Sequence, residues 1–179
     1  MAVYYQPGCR PKCKDDKHDH DCNSKIDCKP KMFVSNCNNL TGASGINIIA
    51  IGDTVTPRSI GSLAISDLNC FKRPSVKLDI TATITVNAAL AVDTVITFRV
   101  FKRCGNEPEI EIQSFDVSYG LALIAGASIP VAFSICDHNG CAADCCTYRV
   151  TVEATATAAV ASAINVNQGT ISAIVSDIC

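Results

Sequence analysis

Between Val76 and Val86 the chain alternates strictly, with Val76, Leu78, Ile80, Ala82, Ile84 and Val86 set against Lys77, Asp79, Thr81, Thr83 and Thr85. Apolar side chains at every second position form one continuous face only on an extended backbone, because successive Cβ atoms of a strand point to opposite sides. On a helix the same residues would scatter around the axis. The segment therefore demands a sheet with one buried face. A second alternation, Tyr148, Val150, Val152 and Ala154 against Thr147, Arg149, Thr151 and Glu153, repeats the demand. Candidate strands are 32–37, 45–52, 58–67, 75–87, 92–103, 109–118, 121–136, 146–157 and 160–175. Gly52-Asp53, Arg73-Pro74, Gly105-Asn106, Asn139-Gly140 and Gln168-Gly169 punctuate them as turn signals. The apolar residues are mostly Ala, Val and Ile, accompanied by many Thr and no Trp, which suits pleated surfaces. Alanines over 154–166 would also tolerate a helix, but β-branched residues recur two apart there (Thr155 with Thr157, Ile164 with Val166) and favour a strand. Short strands at regular spacing predict an all-β, jelly-roll-like β-sandwich.

The sandwich is expected to occupy residues 32–179. Residues 1–31 differ sharply: they hold seven Lys/Arg, five Asp, two histidines and four cysteines, with few aliphatic side chains. Such a segment buries too little apolar surface to order itself. It reads as a flexible N-terminal connector arm whose structure comes from disulfides, metal or a neighbouring subunit.

The chain has twelve cysteines in 179 residues. That density points to a compartment where thiols become oxidised, or to a metal site. Met1 to Gly8 show no basic region followed by an apolar one, so no secretory signal peptide is expected. Release by lysis of the producing cell, as in an endospore mother cell, reconciles the two readings. The location expected is then the spore surface or the extracellular space. In the arm, Cys9, Cys13, Cys22 and Cys28 are candidates for disulfides, and Cys179 ends the chain where it can reach outward to another subunit. Cys37, Cys70, Cys104, Cys136, Cys141, Cys145 and Cys146 are candidates for bridges within the sandwich. A staple from Cys136 to Cys145 or Cys146 across the turn at 137–140 is one option. Adjacent Cys145 and Cys146 would face opposite sides of a strand and serve different partners. His18, His20 and Cys22 carry zinc-ligand chemistry, although paired Cys-x2-Cys knuckles are missing. Disulfides are the expected use of the arm, with no cofactor; zinc on those three residues is the alternative.

Charge thins along the chain. From Val117 to Cys179 the charged residues are Asp137, Asp144, Arg149, Glu153 and Asp177. Edge strands are normally protected by Lys, Pro or bulges, since an open edge recruits another chain. Two readings follow: these last strands are central and buried, or one of them leaves an edge open for strand addition by the next subunit. A net charge of −2 gives no basis for a nucleic-acid or anionic-membrane partner. The longest apolar run, Leu121 to Ile135, is interrupted by Gly126 and Pro130 and is not read as a membrane span.

No enzyme is expected. Cys141 and His138 would be the pair for a thiolate nucleophile, but no third orienting residue or oxyanion hole accompanies them. Thr41 to Gly45 lacks the Lys of a phosphate-binding loop and is assigned to a connection.

Cys70-Phe71-Lys72-Arg73-Pro74-Ser75-Val76-Lys77-Leu78, Phe98-Arg99-Val100-Phe101-Lys102-Arg103-Cys104 and the run Cys141 to Val152 resemble a family of short, cysteine-rich clostridial proteins with a domain of unknown function. In layout the chain is also similar to the endospore appendage pilins of Bacillus, signal-less jelly-roll subunits with an N-terminal connector. That resemblance implies a self-assembling homopolymer, joined by sheet augmentation and by connector disulfides, with Cys9 and Cys13 as the connector cysteines. This arm is longer than theirs, has spaced rather than paired cysteines, and adds histidines. The alternatives are a spore-coat or exosporium lattice component, in contact with other spore-surface proteins, and a metal-binding surface protein using His18, His20 and Cys22.

Overall fold

The computed structural model describes residues 34–50, 53, 56–87, 94–118, 124–138, 145–156 and 163–177, with backbone alone at 49 and 50. These form β1 (Val34–Leu40), β2 (Ala43–Ala50), β3 (Arg58–Ile65), β4 (Pro74–Val86), β5 (Val95–Cys104), β6 (Ile110–Ser118), β7 (Ser128–Asp137), β8 (Cys146–Ala156) and β9 (Ala163–Asp177), with a 3-10 turn at Leu68–Cys70 before β4. β4 realises the strict alternation: its six apolar positions from Val76 to Val86 are at most 4% exposed. The fold is an all-β, jelly-roll-like sandwich.

One sheet runs β1/β2–β9–β4–β7 and the other β6–β5–β8–β3. Every pairing is antiparallel except a short parallel one, Ile48 to Ala50 of β2 beside Ala154 to Ala156 of β8. Because the first half of β2 pairs with β9 and its second half with β8, this strand crosses between the layers and closes one flank. The opposite flank, between β6 and β7, is the seam at which the sheet ends. Ile80, Ile84, Ile164 and Ile171 from one layer meet Ile60, Ile96, Phe98, Val100 and Val150 from the other in a single core.

Three local expectations change. The strand expected over 121–136 begins at Ser128, because Gly126 takes a left-handed conformation (φ +83°) and its N–H bonds to the Val86 carbonyl in a turn. Gln168-Gly169 is a bulge inside β9 rather than a break: Thr81 pairs with Thr170 but Thr83 with Asn167, so β9 carries one extra residue. Gly169 is required there, since a Cβ would stand 2.4 Å from the Thr81 carbonyl oxygen. Finally, only Thr41 and Gly42 connect β1 to β2; Ala43 to Gly45 already belong to β2.

Candidate functional site

The two flanks of the sandwich are finished in different ways. Between β1 and β3, side-chain amides substitute for backbone. Asn36 Nδ2 donates to the Ala64 carbonyl at 2.8 Å while its Oδ1 accepts from the Cys37 N–H at 2.9 Å. Asn38 Nδ2 donates to the Ser62 carbonyl at 2.9 Å, and the Thr41 hydroxyl and the Gly42 N–H both donate to the Ile60 carbonyl. These contacts occupy three successive outward carbonyls of β3, so that edge offers little to an incoming chain.

The seam is less protected. On β6, Gln113 caps its own strand by donating to the Ser114 carbonyl, and Glu111 and Asp116 place charge beside the edge. β7 pairs with β4 alone among the described residues. Its Pro130, which has no N–H, fits an edge strand only where that group would point away from the partner. By the alternation of antiparallel ladders, the backbone groups of Ala132, Ser134 and Cys136 point to the same open side. The one charged residue of β7, Asp137, is turned inward and buried. Phe115 of β6 stacks on Phe133 of β7 with centroids 4.9 Å apart, yet remains 40% exposed. The seam thus shows apolar surface next to backbone that has no strand partner among the described residues.

This decides between the two readings of the low-charge C-terminal region. β8 lies between β5 and β3, and β9 between β1/β2 and β4, so both are central strands. Among the described residues, the strand of this region with a neighbour on one side alone is β7.

A family model described as a domain of unknown function, DUF4489, matches residues 32–176. The chain belongs to the DUF4489 family. No curated protein matches this DUF4489 chain. Among solved structures, the Gx strain of infectious bursal disease virus aligns with a TM-score of 0.54 at 8% identity, over 80% of this chain and 32% of that one. The VP2 subviral particle of infectious bursal disease virus gives 0.54 at 8% identity, over 79% and 32%. Derived T=1 particles give 0.54 at 8%, over 97% and 35%. The DUF4489 chain spans about a third of the length of those chains, and the likeness is one of fold.

Within the DUF4489 domain, the cysteines divide by layer and face. Cys70, Cys104, Cys145 and Cys146 are disulfide-bonded and cluster where the 3-10 turn, the end of β5 and the start of β8 meet. Cys37 and Cys136, counted above as candidates for internal bridges, instead carry free, exposed thiols. The staple from Cys136 to Cys145 or Cys146 does not form, because β7 and β8 belong to different layers and are not a hairpin. Cys136 also faces outward, whereas Cys145 and Cys146 are buried. Both free thiols lie on the outer face of the same sheet, at its two margins. Ser35, Ile174, Lys77 and Cys136 form one row across it, and Cys37, Ser172, Asp79 and Ser134 the next. Ile174, between the margins, is 45% exposed. Cys9, Cys13, His18, His20, Cys22, Cys28, Cys141 and Cys179 lie outside the described residues.

The outer face of the other sheet is charged and internally paired. Arg99 bonds to Glu153 at 2.8 Å and to Glu111 at 3.2 Å, and Arg149 pairs with Glu109 and lies over the Phe101 ring at 4.8 Å. The Arg149 guanidinium holds the Glu109 carboxyl below the usual range, and Glu153 raises Arg99. A shallow depression there is lined by Ser62, Arg103, Glu107, Glu109, Thr147 and Arg149. His138 Nδ1 bonds to Ser75 Oγ at 2.9 Å on the surface. No group of three or more metal-ligating side chains occurs among the described residues.

Sequence reasoning overlooked the inward-facing trio Lys102, Asp137 and Tyr148, in which Lys102 Nζ stands 2.6 Å from Asp137 Oδ2. Period-two counting along β5 and β7 would have found it, as polar residues on an apolar face.

Proposed function

We propose that this chain is a structural subunit that assembles with copies of itself, by strand addition at β7 and by disulfides that lock the contact. The observation that carries the reading is the nearly charge-free β7 edge, which has no second strand neighbour among the described residues, with a free thiol, Cys136, beside it. Strand addition supplies main-chain hydrogen bonds without sequence-specific pockets, and a thiol at the edge makes the contact permanent. Cys37 at the other margin and exposed Ile174 between them give the same face a second bonding position and apolar surface. The arm fits as the tether: Cys9 and Cys13, with Cys22 or Cys28, bond surface thiols of another copy. A similar fold occurs in chains of virus particles, which supports an assembly role without deciding its form. The endospore appendage is our reading of that form, a fibre on the spore surface, with a coat or exosporium lattice as the alternative. The internally paired charges on the outer face of the second sheet fit a structural role better than a catalytic one.

Oxidation of the full chain with glutathione disulfide, followed by non-reducing electrophoresis and negative-stain microscopy, tests this. A ladder of high-mass species that collapses only on reduction, with filaments or sheets on the grid, is expected. Changing Cys37→Ser and Cys136→Ser together should remove most of the ladder. A chain that stays monomeric through oxidation would overturn the proposal.

A further inference from the structure

The assembly reading leaves the buried trio unused. Lys102 belongs to the inward series Ile96, Phe98, Val100, Lys102, Cys104 of β5, and Asp137 ends the inward series Val131, Phe133, Ile135, Asp137 of β7. Tyr148 stands directly opposite Lys102 on β8. Lys102 Nζ lies 2.6 Å from Asp137 Oδ2, and the Tyr148 hydroxyl donates to the same oxygen at 2.7 Å. The two charged side chains are 5% and 3% exposed. Buried Val76 opposes Asp137 across the ladder, and buried Val100 and Cys104 flank Lys102 along its strand.

Burying two full charges is costly, and the step below uses the neutral form of the pair, an amine beside a carboxylic acid. A hydrogen-bonded contact of this kind holds the amine nitrogen about 3–3.5 Å from the carboxyl carbon, the separation of a near-attack conformer. Fixed neighbours react with effective molarities of about 10⁵–10⁸ M, enough to drive a condensation that dilute amine and acid do not undergo. The geometry points to an intramolecular amide between Lys102 Nζ and Asp137 Cγ, a self-made isopeptide bond joining the two sheets. In the step, the Nζ lone pair attacks Cγ and the N–C bond forms. The C–Oδ2 bond then breaks, and Oδ2 leaves as water with its acid proton and one proton from nitrogen. No oxidant or other reactant is consumed. Tyr148 donates a hydrogen bond to the departing oxygen, which holds the carboxyl group in place and stabilises charge that builds on Oδ2 during the step. Burial pushes its hydroxyl far above the ordinary phenol range, so it stays protonated and keeps that hydrogen bond.

The bond would tie β5 to β7 beside the open seam, where the two sheets are not joined by backbone pairing. Unlike the disulfides, it would survive reduction.

The test is the intact mass of the full chain after complete reduction and alkylation, which makes the result independent of any intersubunit disulfide. The wild-type chain should weigh one water, about 18 Da, less than its sequence. A tryptic digest should yield a branched peptide joining the segments around Lys102 and Asp137. Lys102→Arg should restore the full sequence mass, and Tyr148→Phe should leave a mixture of closed and open chains. A wild-type chain at its full sequence mass overturns the inference, as does a water loss that persists in Lys102→Arg. Should that variant fail to fold, the wild-type mass and the branched peptide still decide.

Discussion

Asn36 shows how much one side chain settles here: its amide stands in for a peptide unit, taking a donor of β1 and a carbonyl of β3. Nothing in the residue announces this, because the role depends on a partner 28 positions away. Lys102 and Asp137 are different, since their positions on inward faces follow from counting by twos along strands that the composition already predicts. Two residue-level outcomes follow. Thr151 is 2% exposed, and its hydroxyl has no hydrogen-bond partner among the described residues. Replacing a buried, unpaired hydroxyl by a methyl removes a desolvation penalty, so Thr151→Val should raise stability by about 1 kcal/mol in urea unfolding. Glu109 titrates below its unfolded value of 4.5 because Arg149 hydrogen-bonds its charged form. A depressed folded pKa contributes stability that is present above the unfolded value and lost as pH falls through the folded one. The pair is partly exposed, so the effect is about 0.5 kcal/mol and fades with salt. Urea midpoints should therefore drop more steeply for wild type than for Glu109→Gln as the pH is lowered below 4.5.

At the scale of elements, each of the nine strands coincides with a stretch whose alternation or β-branched content marked it. The low-charge run from Val117 onward was legible as strand, but not as edge or centre. That distinction is set by which strand lies beside which, and the pairing of β9 with β4 joins residues about ninety positions apart. The bulge at Gln168-Gly169 carried a turn signal for a real reason, a left-handed Gln168 (φ +44°), yet the chain continues straight into the same ladder. The edge role of β7 was readable from Pro130, which excludes a central position. The same logic gives a way to close that edge without disturbing the core. Ala132 is exposed and has the same parity as Pro130, so Ala132→Pro removes an outward N–H and leaves the ladder to β4 intact. The variant should unfold within a few degrees of wild type, while its filaments or sheets disappear from negative-stain fields. Assembly that persists unchanged would show that β7 is not the recruiting edge.

For the molecule as a whole, the placement of its cysteines separates stability from linkage. Cys70, Cys104, Cys145 and Cys146 are disulfide-bonded where the 3-10 turn, the end of β5 and the start of β8 meet. Cys37 and Cys136 stand free on an outer face, where a bond can only reach beyond the sheet that carries them. Spacing alone did not reveal this division, because whether a cysteine faces in or out depends on strand register, and whether it has a partner depends on layer. The core that holds the described strands together draws its side chains from Leu40 to Val175, and residues 1–31 are poor in the apolar side chains that such a core needs. A chain lacking that arm should therefore keep its β-sheet circular dichroism and a cooperative melt. If the arm is the covalent tether, the same truncated chain should assemble only weakly and give no reductant-sensitive ladder after oxidation. Boiling-resistant polymers from the truncated chain would assign the linkage to Cys37 and Cys136 themselves, bonded directly between neighbouring sheets.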